Sequence, residues 1–345
     1  MREPLFRSAF MTFLKVLFGT LGLIFAITIG VLMLSGSGGA LDGNPEIKYK
    51  FKPEILPNAD GVRKEFKSDT AVILQINIHG VIGLHHLTHD NIAKQLVEAN
   101  ERQLKGKVKA ILLNMNTPGG AAIDADGIYR EILKYKEEHK IPVFVYVDGM
   151  CASGGMYVAA AADKVFASDT SIFGSVGVII PTLFNFSKLL DKVGIDTMTI
   201  YDGKGKDALN PMRPWVAGEE DNIKDLTKFY YNTFVDVVIK GRKGLDRQKL
   251  IDVYGANIYP APIAKEYGFI DETGANLSST LKHLVETLGI QDNHYHVITL
   301  KDSSWFFDYF GEKESVMSGQ VTHRLDLPQE LDAKLSNQYL YLYRP

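Results

Sequence analysis

The stretch that decides the fold is "DGMCASGGMYVAAAAD", residues 148–163. It leaves an apolar run, "IPVFVYVDG", turns through glycines, and continues as an alanine-rich segment followed by the short run "KVFAS". This reads as strand, turn, helix, strand. The same rhythm extends toward the N-terminus. "AVILQINIHGVIG" (71–83) reads as a buried strand ending in a turn, and "HDNIAKQLVEANERQL" as a helix with Ile92, Leu96 and Val97 on one side. "VKAILLNMN" (108–116) is a second strand and "AIDADGIYREILKYKEE" a second helix. Strands alternating with helices at this spacing predict βαβ units and a mostly parallel sheet covered on both faces.

Beyond the quoted stretch, Glu219 to Lys240 place Ile223, Leu226, Tyr230, Phe234, Val237 and Val238 at helical spacing, which predicts an amphipathic helix. Residues 35–45, "SGSGGALDGNP", form a flexible exit, and residues 46–68 are charged and without periodicity, so they read as a spacer or arm. The tail from about residue 291 is mixed in character and is not assigned a structure.

The N-terminus carries a different signal. Val16 to Leu34 is nineteen residues without a charge. As a helix it would be roughly 28 Å long, close to the hydrocarbon thickness of a bilayer. The run exceeds the usual hydrophobic region of a cleaved signal peptide, so an uncleaved anchor is the expectation. Arg2, Arg7 and Lys15 precede it and Lys48 is the next cation after it. The positive-inside rule then keeps the N-terminus in the cytoplasm and sends the rest across the membrane, into an extracytoplasmic or periplasmic space. The expected organisation is a cytoplasmic 1–15, a transmembrane anchor 16–34, a linker or arm 35–68, a catalytic domain 69–290 and a C-terminal extension 291–345.

Composition excludes several functions. A net charge of −3 gives no basic field for nucleic acid, so no nucleic-acid partner is expected. The single cysteine, Cys151, rules out an internal disulfide framework and a multi-cysteine metal site. His85, His86 and His89 in "HHLTH" have metal-compatible spacing but lack the glutamate of a helical H-E-x-x-H site, so a turn and helix start is expected there.

Chemistry is expected at the C-terminal ends of the parallel strands, where open sheets build their sites. "NTPGG" (Asn116 to Gly120) follows one strand and "DGMCASGG" the next. Two glycine turns facing one crevice would let backbone N–H groups approach a developing oxyanion. Ser153 has two readings. A serine before two glycines is a common turn residue and a preferred helix N-cap. It is also a nucleophile if a base stands near it. The hydrolase elbow G-x-S-x-G is absent, because Cys151 holds the first glycine position. The S-x-x-K pattern fails as well, because Met156 stands where the lysine would be. No histidine lies between His139 and His283, so a lysine from elsewhere in the chain is the remaining base.

Five ordered blocks, "INIHGVIG", "NMNTPGG", "ASGGMYVAAAADKVFASDTSIFGSVGV", "GKGKDALNP" and "GANIYPAPIAKEYGFIDETG", resemble the membrane-anchored signal peptide peptidase A family. The resemblance covers roughly residues 69–290, with one copy of each block as in the single-length branch. It implies a Clp protease/crotonase-like α/β fold of repeated ββα/βαβ units. It further implies a homo-oligomer, no cofactor or metal, and short apolar peptides such as residual signal peptides as substrates. Residue by residue, it implies Ser153 as nucleophile, Lys206 as base and Ser175 as the serine that hydrogen-bonds the lysine. Gly119 or Gly120, with the N–H of Gly154, would form the oxyanion hole. The sequence departs from the pattern at Lys204, a second lysine two residues before Lys206.

A lysine with an ordinary pKa of ~10.4 is a poor base at neutral pH, and burial is what disfavours the ammonium form. Lys206 stands among Gly205, Ala208, Leu209 and Pro211, with Asp207 beside it, so a buried amine is expected. Lys204, between two glycines, is expected to be solvated. Other readings of the same blocks are a Clp-type triad protease, a crotonase-like acyl-CoA enzyme that needs neither serine nor lysine, and an inactive membrane scaffold.

Overall fold

The computed structural model describes Lys15, Thr20 and residues 51–67, 69–291, 294–302 and 339–343. By contact density the chain divides into two units, Met1–Tyr49 and Lys50–Pro345. The expected transmembrane run, Thr20 apart, lies outside the described residues. Among the described residues, no helix is long and apolar enough to cross a membrane.

The second unit contains strands β1 (Phe51–Leu56), β2 (Ala71–His79), β3 (Val108–Thr117), β4 (Gly119–Ala121) and β5 (Val143–Ala152). It continues with β6 (Lys164–Ala167), β7 (Ile172–Gly174), β8 (Ile258–Pro260), β9 (Tyr295–Asp302) and β10 (Leu340–Leu342). Its longer helices are α1 (His89–Glu98), α2 (Ala122–His139), α3 (Gly154–Ala159), α4 (Ser187–Val193), α5 (Asp221–Gly241), α6 (Ala261–Tyr267) and α7 (Leu277–Thr287).

Eight strands form one sheet in the order β1-β9-β2-β3-β5-β7-β8, with β6 also paired to β5. The pairs β2–β3, β2–β9, β3–β5, β5–β6 and β5–β7 are parallel, and β1–β9 and β7–β8 are antiparallel. The mostly parallel α/β architecture is therefore present. Its cause is visible in the side-chain alternation. Leu74, Ile76, Leu113, Met115, Val145 and Val147 pack into one core with α1, α2 and α3. Ile73, Ala110, Leu112, Phe144 and Tyr146 pack on the other face against Leu281 and Leu284 of α7. A strand segment buried on both faces is apolar on both, which is why Val72–Leu74 of β2 and Ala110–Leu113 of β3 read as continuous runs.

Three expectations change. Residues 51–56 are an edge strand rather than part of a spacer. Only Phe51 among them is fully buried, and an edge strand tolerates the charges and Pro53 that hide it from pattern reading. The sheet also extends beyond residue 290, through β9. On α1, Ile92 and Leu96 are buried as expected but Val97 is exposed. The amphipathic helix is present as α5, yet its fully buried residues Phe234, Val235 and Val238 all lie in its C-terminal half. There Gly241 meets α3 so closely that a Cβ would stand 2.1 Å from the Ala160 carbonyl oxygen. The alanine run thus permits two helices to approach backbone to backbone.

Candidate active site

Ser153 sits between β5 and α3 and takes the N-cap position with φ 52° and ψ −118°. A left-handed φ on a residue with a Cβ costs on the order of 1–3 kcal/mol. The turn is fixed by the neighbouring strand: β7 pairs with the end of β5, and the Ser153 N–H donates to Gly174 O at 2.8 Å. Ser153 is 1% exposed, its side chain makes no cap bond, and its Oγ has no hydrogen-bond partner. A buried hydroxyl left unpaired costs about 1–3 kcal/mol. A turn residue or cap would avoid both costs, since glycine fits the φ and a capping oxygen would be bonded. Neither a turn role nor a capping role accounts for a serine at this position.

Cys151, two residues earlier, does not compete as a nucleophile. It is fully buried beside Met156, and burial pushes its thiol up to about 12, so it stays protonated.

The glycine turns do face one another. Gly119 has φ +95°, and a Cβ on it would stand 2.6 Å from Gly154 N and 3.0 Å from Ser153 Cβ. Gly120 packs on the turn after β2, with the Ile82 carbonyl oxygen 2.0 Å from where its Cβ would be. The N–H of Gly119 donates to Thr117 Oγ1 at 3.1 Å, and Thr117 Oγ1 donates in turn to Gly80 O at 2.6 Å. Gly119 N–H is therefore engaged within the turn. Gly120 instead pairs with Tyr341 of β10. The N–H of Gly154, in the first turn of α3, has no intrahelical acceptor. Thr117 and Tyr341 are site residues that sequence reasoning passed over.

Ser175 is buried, with φ 53°, and its N–H donates to Asn257 O at 2.7 Å. It follows the glycine that anchors Ser153, so it belongs to the same rigid turn cluster.

Lys206 departs from expectation. It is exposed, as Lys204 is, and the unpartnered Ser153 Oγ means that the two groups are not hydrogen-bonded within one chain. The flanking residues that suggested burial do not cover it: Ala208 is exposed and Leu209 only partly covered. The loop is nevertheless shaped. Arg213 reaches Asp207 at 2.6 Å and Glu219 at 2.7 Å, and Asn210 donates to Asp207 at 2.6 Å. The Arg213 guanidinium and the Asn210 amide hold the Asp207 carboxyl below its usual range. Asp207 is thus committed to Arg213 and leaves Lys206 free to face outward. Beside the loop runs a groove of about 860 Å³ whose lining includes Val178, Ile180, Leu209, Trp215 and Tyr231.

The histidine cluster forms a turn and a helix start. His85 has φ 49°, Thr88 caps α1 by accepting from Asn91 N at 3.3 Å, and the His89 N–H donates to Asp124.

The model of peptidase family S49 matches residues 135–304, a span that includes Ser153, Ser175 and Lys206. A putative signal peptide peptidase SppA of Enterococcus faecium is 31% identical over 74% of this chain and 73% of its own length. The chloroplastic serine protease SPPA of Arabidopsis thaliana is 32% identical over 53% of this chain, which covers 27% of that protein. Among solved structures, a ClpP1 variant from Listeria monocytogenes aligns with 62% of this chain and 96% of its own. That alignment has 18% identity and a TM-score of 0.40. With the E. faecium relative matched over most of both lengths, the chain belongs to the signal peptide peptidase A family of S49 peptidases and is a serine peptidase.

Proposed function

We propose that the chain is a membrane-anchored endopeptidase that cuts short apolar peptides, residual signal peptides among them, with Ser153 as nucleophile and Lys206 as base. The observation that carries the reading is the buried, unpartnered Ser153 Oγ on a strained turn between two glycine turns. In the reaction, Ser153 Oγ attacks the peptide carbonyl while its proton passes to the neutral Lys206 amine. The oxyanion is met by the N–H groups of Gly120 and Gly154. The leaving amine takes the proton back from Lys206, which then activates water to release the acyl group. Ser175 orients the lysine.

The exposed lysine fits an enzyme completed by association. Leu183, Phe184, Phe186, Leu189, Met198 and Ile200 are exposed apolar side chains on the segment leading to Lys206. Covering them with a second copy would bury the amine and place it against a serine. The homo-oligomer is therefore part of the proposal, as are the anchor at residues 16–34 and the extracytoplasmic placement of the peptidase unit. The groove beside Trp215 and Tyr231 suits an apolar substrate or partner segment.

One experiment tests anchor and chemistry together. The full chain is fused after residue 345 to a reporter active only outside the cytoplasm, and membranes are assayed on an apolar fluorogenic peptide. Hydrolysis with an active reporter is expected, with hydrolysis alone lost in Ser153→Ala. A silent reporter on a well-expressed chain defeats the topology, and persistent hydrolysis by Ser153→Ala defeats the nucleophile.

A further inference from the structure

The large sheet splits at one end. β2 and β9 pair in parallel only from Ala71 and Tyr295 to Leu74 and Ile298, yet β2 runs on to His79 and β9 to Asp302. Beyond that point each strand keeps its other neighbour. β2 stays on β3 as far as His79, and β9 stays on β1 as far as Asp302. The two halves of the sheet therefore part as a fork. A cavity of about 710 Å³ lies in it, lined by Asn77, His79 and Gly80 on the β2 side and by Phe51, Leu300 and Lys301 on the other.

The fork presents main chain from both sides. Val72 N–H donates to Lys107 O, just before β3, and Gly80 N–H donates to Asn116 O within it. Peptide groups alternate sides along a strand, so those of Asn77 and His79 point away from β3 and into the fork. Across it, Leu300 stands opposite Pro53, which has no N–H to give. That makes theirs a non-hydrogen-bonded pair of the β1–β9 ladder, with the Leu300 peptide groups turned toward β2. Among the described residues, Asn77, His79 and Leu300 have no ladder partner on this side. Two open strand edges facing one cavity are complementary to a third strand.

Side chains set which strand fits. Phe51 and Leu300 belong to the core on the α1 side of the sheet, where Leu87 and Ile92 also line the cavity. Asn77, His79 and Lys301 alternate to the other side. The turn after β2 adds His85 and His86, and no aspartate or glutamate is among the lining residues. Glu54 holds Lys301 Nζ at 2.8 Å from outside the cavity. An inserted strand would thus have one apolar face and one face toward a lysine and histidines.

We propose that the fork is a docking site for an extended segment of a second protein, alternating apolar and acidic residues, that adds as a strand between β2 and β9. The open half of β2 has room for about five residues of such a segment. The site does not depend on the role of Ser153.

The test uses the full chain in detergent micelles, carrying Ser153→Ala so that the probe is not cut. The probe is a fluorescein-labelled Val-Glu-Val-Glu-Val peptide, read by anisotropy, and it should bind. In the complex, amide hydrogen exchange at Asn77, His79 and Leu300 should slow at least about tenfold. The peptide N-methylated on its valines, which has lost the donors of one edge, should bind at least about tenfold more weakly. A Val-Lys-Val-Lys-Val peptide should bind about threefold more weakly. Lys301→Glu should weaken the acidic peptide and strengthen the basic one, each about threefold, a gain that a misfolded chain would not show. No binding at the highest soluble peptide concentration overturns the site. Equal affinity for the methylated peptide overturns strand addition, and equal affinity for the acidic and basic peptides overturns the choice of partner. Protection at Gly119–Ala121 in place of Asn77 and His79 would put the peptide on β4 and overturn the fork. Slow exchange at Asn77 and His79 before any peptide is added would mean that a second copy or another part of this chain already covers the edge, which overturns it too.

Discussion

The turn that carries Ser153 and the loop that carries Lys206 are built in opposite ways. The turn is buried, tied to Gly174 by its backbone, and pressed between glycines with no room for a single extra carbon. The loop is exposed, and a Cβ added at Gly203 or Gly205 would meet nothing within 4 Å. On the proposed reading, one half of the chemistry is finished by the core of a single chain. The proposed base is presented outward, on a loop held in shape by the Arg213 clamp on Asp207 and Glu219 and by the bond from Asn210 to Asp207. A nucleophile needs strained, fixed geometry, which only a packed interior can impose. A lysine proposed to act as a neutral base needs a cover, and the described residues of a single chain leave Lys206 exposed.

The largest expected effect breaks this comparison open. Ser153→Ala and Lys206→Ala should each lose at least about 10³-fold in turnover, since members of a catalytic unit do not act additively. If the cover is a second copy, co-expressing the two inactive chains should restore activity at about a quarter of the sites by random pairing. A mixture as inactive as its parts would place each lysine with its own serine.

A smaller effect sharpens the contrast between tight and open glycines. Gly119→Ala should lower kcat about 10²-fold, comparable to losing an oxyanion donor, because its Cβ would stand where the Tyr341 carbonyl now lies. Gly205→Ala, also at a positive φ but in open space, should cost only about 1–2 kcal/mol of backbone strain and lower Tm by a few degrees. Equal losses of activity at the two positions would contradict the division.

The smallest effect concerns Cys151. With its thiol raised to about 12 by burial, it should not react with iodoacetamide at pH 8 in the native chain and should react once unfolded. Rapid native labelling, followed by mass spectrometry, would mean that the nucleophile turn opens readily.

The central sheet was legible in the sequence because the middles of β2, β3 and β5 are buried on both faces and spell short apolar runs, Val72–Leu74, Ala110–Leu113 and Val143–Val147. β1 was not, because an edge strand packs one side and carries charge and proline on the rest. At the site, the glycine turns and Ser153 were legible as types, but their relation was not. That Gly119 gives its N–H to Thr117 while Gly120 pairs with Tyr341 depends on the ladder register. The expectation of a buried Lys206 failed because its small and apolar neighbours describe composition, whereas burial requires something on the other side. The segment "YLYLY" (339–343) did carry a signal, a strict alternation of period two, within a tail of mixed character.

The position of β9 has a consequence for how the molecule comes into being. Among the described residues the first strand of the sheet pairs with β9 alone, and β9 also flanks β2. Neither contact exists until almost the whole peptidase unit has been synthesised. Closing so long a loop adds entropy that no local contact repays early, and folds dominated by such distant pairings form slowly. A ribosome delivering this chain would therefore release βαβ units in order while the edge at β2 stayed open. The sheet would gain its final strands late, and β10, pairing with β4 close to Ser153, would arrive later still.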